Sequence, residues 1–358
     1  MTSVERVLWC ALAVGMAFGI IGHMTGFCLN RALRDYHVYR SDSKLRSFLL
    51  AMGVAVLGTQ CASILGLVDL QKSIYAVPTI SWLLLPVGAV VFGYGMILAN
   101  GCGARELVML GQGNLRSLWV LLCMGISAFV TLTGVIAPLR MAAASATPMV
   151  NHNLASLSPP ARIMAVAIVG VLLLGFAFWR GRLLNSKRDL AGGLIIGLLI
   201  VAGWLATGWI GDDEFDPVPV ASLSFVSPVG ETIQYAMIST GLTLRFGIVI
   251  VVGVYFGSLL ISVLRRQFHL HGFTAAPDML RYMTGGVMMG VGGALASGCS
   301  IGQGLTGMST LSLGSFIATV GIFSGGWLAL VLTTPSVVAG SSGNAGDPTK
   351  DATPAGCG

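Results

Sequence analysis

Charge is what this chain has least of. Lys, Arg, Asp and Glu together make up 9% of its 358 residues, against roughly 25% in an ordinary soluble domain. With 55% of the residues hydrophobic, such a chain cannot cover itself with polar surface, which excludes a soluble globular enzyme. Other absences narrow the field. None of the seven cysteines stands in C-x-x-C spacing or in a secreted-domain pattern, which argues against a zinc site, a dithiol redox motif and a disulfide framework. No G-x-x-x-x-G-K-[ST] loop is present, so this chain does not use ATP. The sixteen methionines are scattered without ligand spacing, so a copper path is not supported. Neither a cofactor nor a nucleic-acid partner is expected.

What is present is apolar sequence in long runs. Nine stretches lie near residues 7–28, 47–68, 80–100, 115–138, 162–179, 190–210, 246–263, 282–298 and 313–334. Runs of this length match the hydrocarbon thickness of a bilayer. The expected fold is therefore an all-α polytopic membrane protein of about nine transmembrane helices, with the first stretch retained rather than removed as a signal peptide. Glycine supplies 49 residues, about double ordinary usage; in a bilayer this reads as close helix packing and interrupted helices.

Loop charge predicts orientation, because Lys and Arg stay cytoplasmic. Arg31, Arg34, Arg40, Lys44 and Arg46 crowd the first loop, Arg180, Arg182, Lys187 and Arg188 follow the fifth stretch, and Arg265, Arg266 and Arg281 flank the seventh loop. Asp212, Asp213, Glu214 and Asp216 form a loop without Lys or Arg, read as external. Nine crossings then put the N-terminus outside and the C-terminus in the cytoplasm. Residues 1–335 make one transmembrane domain, and 336–358, rich in Gly, Ser, Pro and Asp, read as an unstructured cytoplasmic tail.

Two segments of the chain repeat each other. Leu98-Ala99-Asn100-Gly101-Cys102 and Leu295-Ala296-Ser297-Gly298-Cys299 each close a glycine-rich stretch, and each precedes a Gly-Gln-Gly. Under the orientation above they enter from opposite sides, which makes them the broken or re-entrant segments of an inverted repeat, near 7–138 and 190–334, with 162–179 as the linking helix. The offset is 197, shared by Leu98/Leu295, Ala99/Ala296, Gly101/Gly298 and Gly95/Gly292. A fainter echo joins Thr25-Gly26-Phe27-Cys28 to Thr207-Gly208-Trp209-Ile210, adding Cys28 as a thiol whose mate is an isoleucine.

Irregular backbone at membrane depth survives only inside protein or along a cavity, and duplicated breaks point to a transporter's substrate site. Glycines beside the thiols (Gly101, Gly103, Gly298, with Ser300 after Cys299) allow positive φ and close approach, and a restarting helix aims free N–H groups at the site. Both features favour an anion. Cys28, Cys102 and Cys299 are the candidate binding thiols, kept neutral by apolar surroundings. Arg105, Glu106 and Gln303 are the ionisable or polar groups beside them, and Gln112 and Asn114 either meet oxyanions or cap helices. Cys10, Cys61 and Cys123 read as packing, and Cys357 as incidental.

These motifs resemble those of a known family. Residues 100–117, residues 298–309, Gly26-Phe27-Cys28 with Ala32-Leu33-Arg34-Asp35, and Pro277-Asp278 leading into Gly285-Gly286 are similar to the signature segments of the YeeE/YedE family, over the chain up to about residue 335. The resemblance implies thiosulfate uptake through a bacterial inner membrane by a monomeric bundle. It further implies passage by transient S–H···S contacts with three cysteines, matching Cys28, Cys102 and Cys299. The sulfur would feed cysteine synthesis, with a small cytosolic TusA-like protein as a partner besides the lipid bilayer. Met109 departs from the family, whose members often carry a basic residue there. Competing expectations are a carrier of selenium or other small sulfur species, a passive small-solute pore, and a membrane thiol-oxidoreductase.

Overall fold

The computed structural model describes residues 2–151, 159–179, 183–184, 186–213, 218–273 and 276–341. Arg180, Arg182, Glu214, Asp216 and the tail beyond residue 341, all used above, lie outside the described residues. The chain folds as helices α1 (Ser3–Thr25), α2 (Leu29–Tyr39), α3 (Ser43–Ile64), α4 (Leu84–Leu98), α5 (Gly103–Gly111), α6 (Leu115–Leu132), α7 (Ala137–Ala146), α8 (Pro159–Phe178), α9 (Lys187–Leu205), α10 (Val226–Met237), α11 (Phe246–Leu264), α12 (Ala276–Leu295) and α13 (Leu313–Ser341). Strands β1 (Thr79–Ser81) and β2 (Pro148–Val150) pair antiparallel in a two-stranded ribbon, a minor addition to the all-helical expectation.

Each of the nine predicted stretches corresponds to one long helix, with ends displaced by a few residues. Among the described residues, eight helical segments are long and apolar enough to cross a membrane. The remaining stretch, α12, has 20 residues, about 30 Å at 1.5 Å per residue, but glycine takes the place of apolar side chains along much of it. Helix α13 continues to Ser341, so residues 336–341 belong to a helix and not, as expected, to the tail.

Breaks in three of these helices build the middle of the molecule. Helix α1 stops where Gly26 turns left-handed (φ 63°), its N–H closing on Gly22 O at 2.9 Å, and α2 restarts after Cys28. Helix α4 has only 15 residues, about 22 Å, too short for a hydrocarbon core of about 30 Å. The chain then turns at Asn100 and resumes as α5. Helix α12 ends in the same way and continues, after Cys299, as a π-helical turn over Gly302–Gly307.

Packing is reciprocal. Helix α1 lies on α11 and α9 on α3; α4 lies on α13 and α12 on α6; α4 also crosses α12, and α1 meets α9. Glycine makes the α4–α12 crossing possible. A methyl group added at Gly88 would sit 2.8 Å from Gly292 O, and one added at Gly95 would sit 2.8 Å from Gly285 O. With no water to expel between lipid-solvated helices, such close backbone contact is what holds them.

Candidate functional site

Two of the three candidate thiols begin a helix, and the third stands three residues before a π-helical turn. Cys28 is the N-cap of α2 and Cys102 the N-cap of α5, both extended (φ −167°, ψ 136° and φ −87°, ψ 166°). Cys299 precedes the π-helical turn, and Gly302 N–H donates to its Sγ at 3.2 Å. The N–H groups of a first turn have no intrahelical acceptor, so the Cys28 and Cys102 sulfurs stand where free donors and the positive end of the helix dipole converge. Each cysteine is at most 3% exposed. The Cys28 and Cys102 sulfurs are 3.7 Å apart. Ser300 is buried beside Cys102, which brings the second break against the first thiol, and its hydroxyl makes no hydrogen bond among the described residues.

The two breaks before Cys102 and Cys299 share one geometry. Asn100 (φ 61°) and Ser297 (φ 55°) are the left-handed residues, and Gly101 N–H to Met96 O (3.1 Å) matches Gly298 N–H to Gly293 O (2.8 Å). This is a Schellman-type helix end. The expectation that Gly101, Gly103 and Gly298 supply positive φ is corrected: Asn100 and Ser297, before Gly101 and Gly298, take that role, and neither Gly103 nor Cys102 before it is left-handed. The glycines clear space instead. A methyl at Gly101 would collide with the Glu106 carboxyl, one at Gly298 would lie 3.0 Å from Gln303 Cγ, and one at Gly103 would lie 2.9 Å from Met124 Cε.

The polar candidates separate by position. Gln303 is buried, and its Nε2 donates to Ala296 O at 2.8 Å and Ser297 O at 3.1 Å, closing the end of α12. Glu106 is buried below Gly101. Arg105 is half-buried, within electrostatic reach of Cys28, and has no carboxylate within 4 Å among the described residues. Gln112 and Asn114 act as structural ties: Gln112 Nε2 meets His23 Nδ1 at 3.0 Å, and Asn114 Oδ1 accepts from Arg116 N–H at 3.1 Å to cap α6.

Several neighbours of the thiols carried no recognisable signal in the sequence. A small cavity beside Cys28 is lined by Thr25, Phe27, Lys44, Ser47 and Asp189, where Lys44 and Asp189 pair at 3.3 Å. Asn30 Nδ2 donates to Met96 O at 2.8 Å, and Arg34 reaches Asn100 Oδ1 at 3.1 Å, tying α2 to the end of α4. Near Cys299, Tyr75 is buried against Trp204; burial, with Cys299 nearby, pushes its hydroxyl above the usual phenol range and keeps it neutral. Ser47, Asp189, Tyr75 and Trp204 come from loops and helices remote from the thiols in sequence, so no local pattern marks them.

The chain belongs to the sulphur transport family, the YeeE/YedE proteins, whose family model matches residues 24–328. It is 24% identical over 351 residues to the thiosulfate transporter TsuA of Escherichia coli (strain K12), covering 89% of this chain and 94% of that protein. It is 23% identical over 350 residues to the thiosulfate transporter TsuA of Spirochaeta thermophila, covering 90% and 97%. Similarity to the probable transporter YedE of Escherichia coli (strain K12) is 25% over 113 residues, 32% of this chain and 26% of that protein.

Proposed function

We propose that this member of the sulphur transport family carries thiosulfate across a bacterial inner membrane, passing it along Cys28, Cys102 and Cys299. The reading rests on one observation: three buried thiols stand at breaks between helical segments, Cys28 and Cys102 each opening a restarting helix with sulfurs 3.7 Å apart and Cys299 accepting from Gly302 N–H. Two relatives named thiosulfate transporters, similar along about nine tenths of this chain, support the choice of substrate.

Thiosulfate has a soft terminal sulfur and a hard oxyanion end, and the site supplies a partner for each. A thiol is a weak donor with a polarisable sulfur and meets the terminal sulfur through S–H···S contacts. Helix N-terminal N–H groups and the Ser300 hydroxyl meet the oxygens, while Arg105 offsets charge. Gly101, Gly103 and Gly298 leave room beside the sulfurs. Two thiolates at the Cys28–Cys102 separation would repel each other and the dianion, so the pair keeps at least one proton between its sulfurs. Weak contacts suit transport, because an ion bound tightly would not leave.

The reciprocal packing supports an inverted repeat. Exchanging α1 for α9, α3 for α11, α4 for α12 and α6 for α13 turns each contact described above into another. The 197 offset maps the Gly88–Gly292 approach onto Gly285–Gly95. The cationic loops support a reading with the N-terminus outside and the C-terminus in the cytoplasm, where imported sulfur would enter assimilation.

The test is uptake of radiolabelled thiosulfate by proteoliposomes of the purified protein. Cys102→Ala and Cys299→Ala are expected to lower uptake by about tenfold or more, the scale of one lost transport contact. Wild-type rates in either variant overturn the relay; absence of uptake by the wild type overturns the substrate.

A further inference from the structure

Glu106 and Gln303 are counterparts. They stand 197 residues apart, the offset of the two breaks, and each lies five residues after the glycine that precedes a site cysteine. Both are buried, at 4% and 3% exposure. Each tucks its side chain below that glycine: a methyl at Gly101 would sit 3.1 Å from Glu106 Cδ, and one at Gly298 would sit 3.5 Å from Gln303 Cδ. Each also has a serine beside it, one position out of the 197 register. Ser117 lies within hydrogen-bonding reach of the Glu106 carboxyl, and Ser315 Oγ and Gln303 Oε1 both crowd Gly307.

The function of Gln303 is visible. Its amide N–H groups satisfy Ala296 O and Ser297 O, carbonyls left without partners where α12 stops. The carbonyls of Ala99 and Asn100 end α4 in the same geometry. A carboxylate has no proton to donate to those carbonyls, so it cannot make the contact that Gln303 makes, even though Glu106 lies in the first turn of α5, where the helix dipole favours a negative charge. A protonated acid has both a donor and an acceptor, as an amide does.

We propose that Glu106 is a positioning residue held as a neutral carboxylic acid, whose O–H closes the end of α4 and so sets Cys102 as Gln303 sets Cys299. This inference rests on the transport reading above. Cys28 faces the carboxyl from the start of α2, Ser117 and Arg116 lie at the start of α6, and Arg105 is on its own helix. Helix α1 contributes His23, which is bound to Gln112 and Gln267, and α11 contributes Tyr255. Among the described residues no cation comes within 4 Å of the Glu106 carboxyl, so no ion pair requires it to be charged.

The experiment compares wild type, Glu106→Gln, Glu106→Ala and Gln303→Glu in proteoliposomes across a pH series, with thermal unfolding of the purified proteins alongside. Glu106→Gln reproduces the cap without a titrating proton; it is expected to keep uptake within about twofold of wild type. Its uptake should also stay level where wild-type uptake falls as pH rises. Gln303→Glu should steepen that fall, and Glu106→Ala should lose about tenfold. If Glu106→Gln folds with wild-type stability but is as inactive as Glu106→Ala, the carboxyl proton itself is required and the inference is overturned. Full uptake by Glu106→Ala overturns it as well. Should the wild type take up no thiosulfate, the functional reading fails, and the melting temperatures still decide this one. Alkaline loss of stability in wild type but not in Glu106→Gln supports the neutral cap, and identical pH profiles refute it.

Discussion

Between Cys28 and Cys102 the sulfurs need to move only from 3.7 Å to the roughly 2.05 Å of a disulfide. A mild oxidant such as copper phenanthroline should therefore join them, removing two alkylatable thiols by mass spectrometry and stopping uptake until a reductant is added. Cys28→Ser should leave Cys102 alkylatable under the same oxidant. Persistence of free Cys28 and Cys102 under oxidation that consumes the exposed Cys61 would contradict the proximity. The three thiols could be picked out of seven cysteines because glycine and duplication surround them. The roles of their neighbours could not. Gly101 and Gly298 read as residues of positive φ, yet that torsion falls on Asn100 and Ser297, because the helix end fixes which position is left-handed. Gln112 and Asn114 looked equally suited to an oxyanion or a helix end, and only their distances to His23 and Arg116 decide for the latter.

Helices of this chain fall into two classes of legibility. The nine that match apolar stretches announce themselves by length and composition, although α4 with 15 residues is too short to cross alone. Helices α2, α7 and α10 are short, at 11, 10 and 12 residues, and mixed in polarity; α2 is rich in Arg and His and buries only Leu29, Asn30, Ala32 and Leu33. Their helicity follows from docking on neighbours that local periodicity does not reveal. The glycines of α4 belong to this scale too. Gly88→Ala pushes a methyl group to 2.8 Å from Gly292 O, overpacking expected to cost about 1–3 kcal/mol. Gly175→Ala on α8 meets nothing within 4 Å and should be neutral or slightly stabilising, since alanine favours a helix over glycine. Thermal unfolding in detergent checks the pair: equal melting temperatures would mean that the α4–α12 crossing is looser than described.

Across the whole molecule, orientation is the property that loop charge proposes and labelling can decide. Ser41→Cys reports on the cationic loop between α2 and α3, and Asp212→Cys on the acidic loop after α9; both positions are exposed. In cells whose inner membrane is intact, and in a Cys61→Ser background, an impermeant maleimide should label Asp212→Cys alone. Ser41→Cys should react only after that membrane is broken. The reverse pattern would turn the molecule over and with it the direction of uptake. Reciprocal packing also bears on how the site is held. Helices α4 and α12 cross each other and lean on α13 and α6 respectively, so each break is braced by both halves of the chain. Neither half builds the site alone.

By itself the sequence determined that this is a membrane bundle, where its long helices run, and which three cysteines stand beside its glycine breaks, because hydrocarbon and repetition leave their marks in consecutive residues. Only the tertiary structure decided that Cys28 meets Cys102, that Ser300 brings the second break beside them, and that Gln303 closes a helix with Glu106 as its counterpart. The first two facts depend on distances between residues tens to hundreds of positions apart, set by how glycine lets the helices approach, and the third on how the backbone folds back over a helix end.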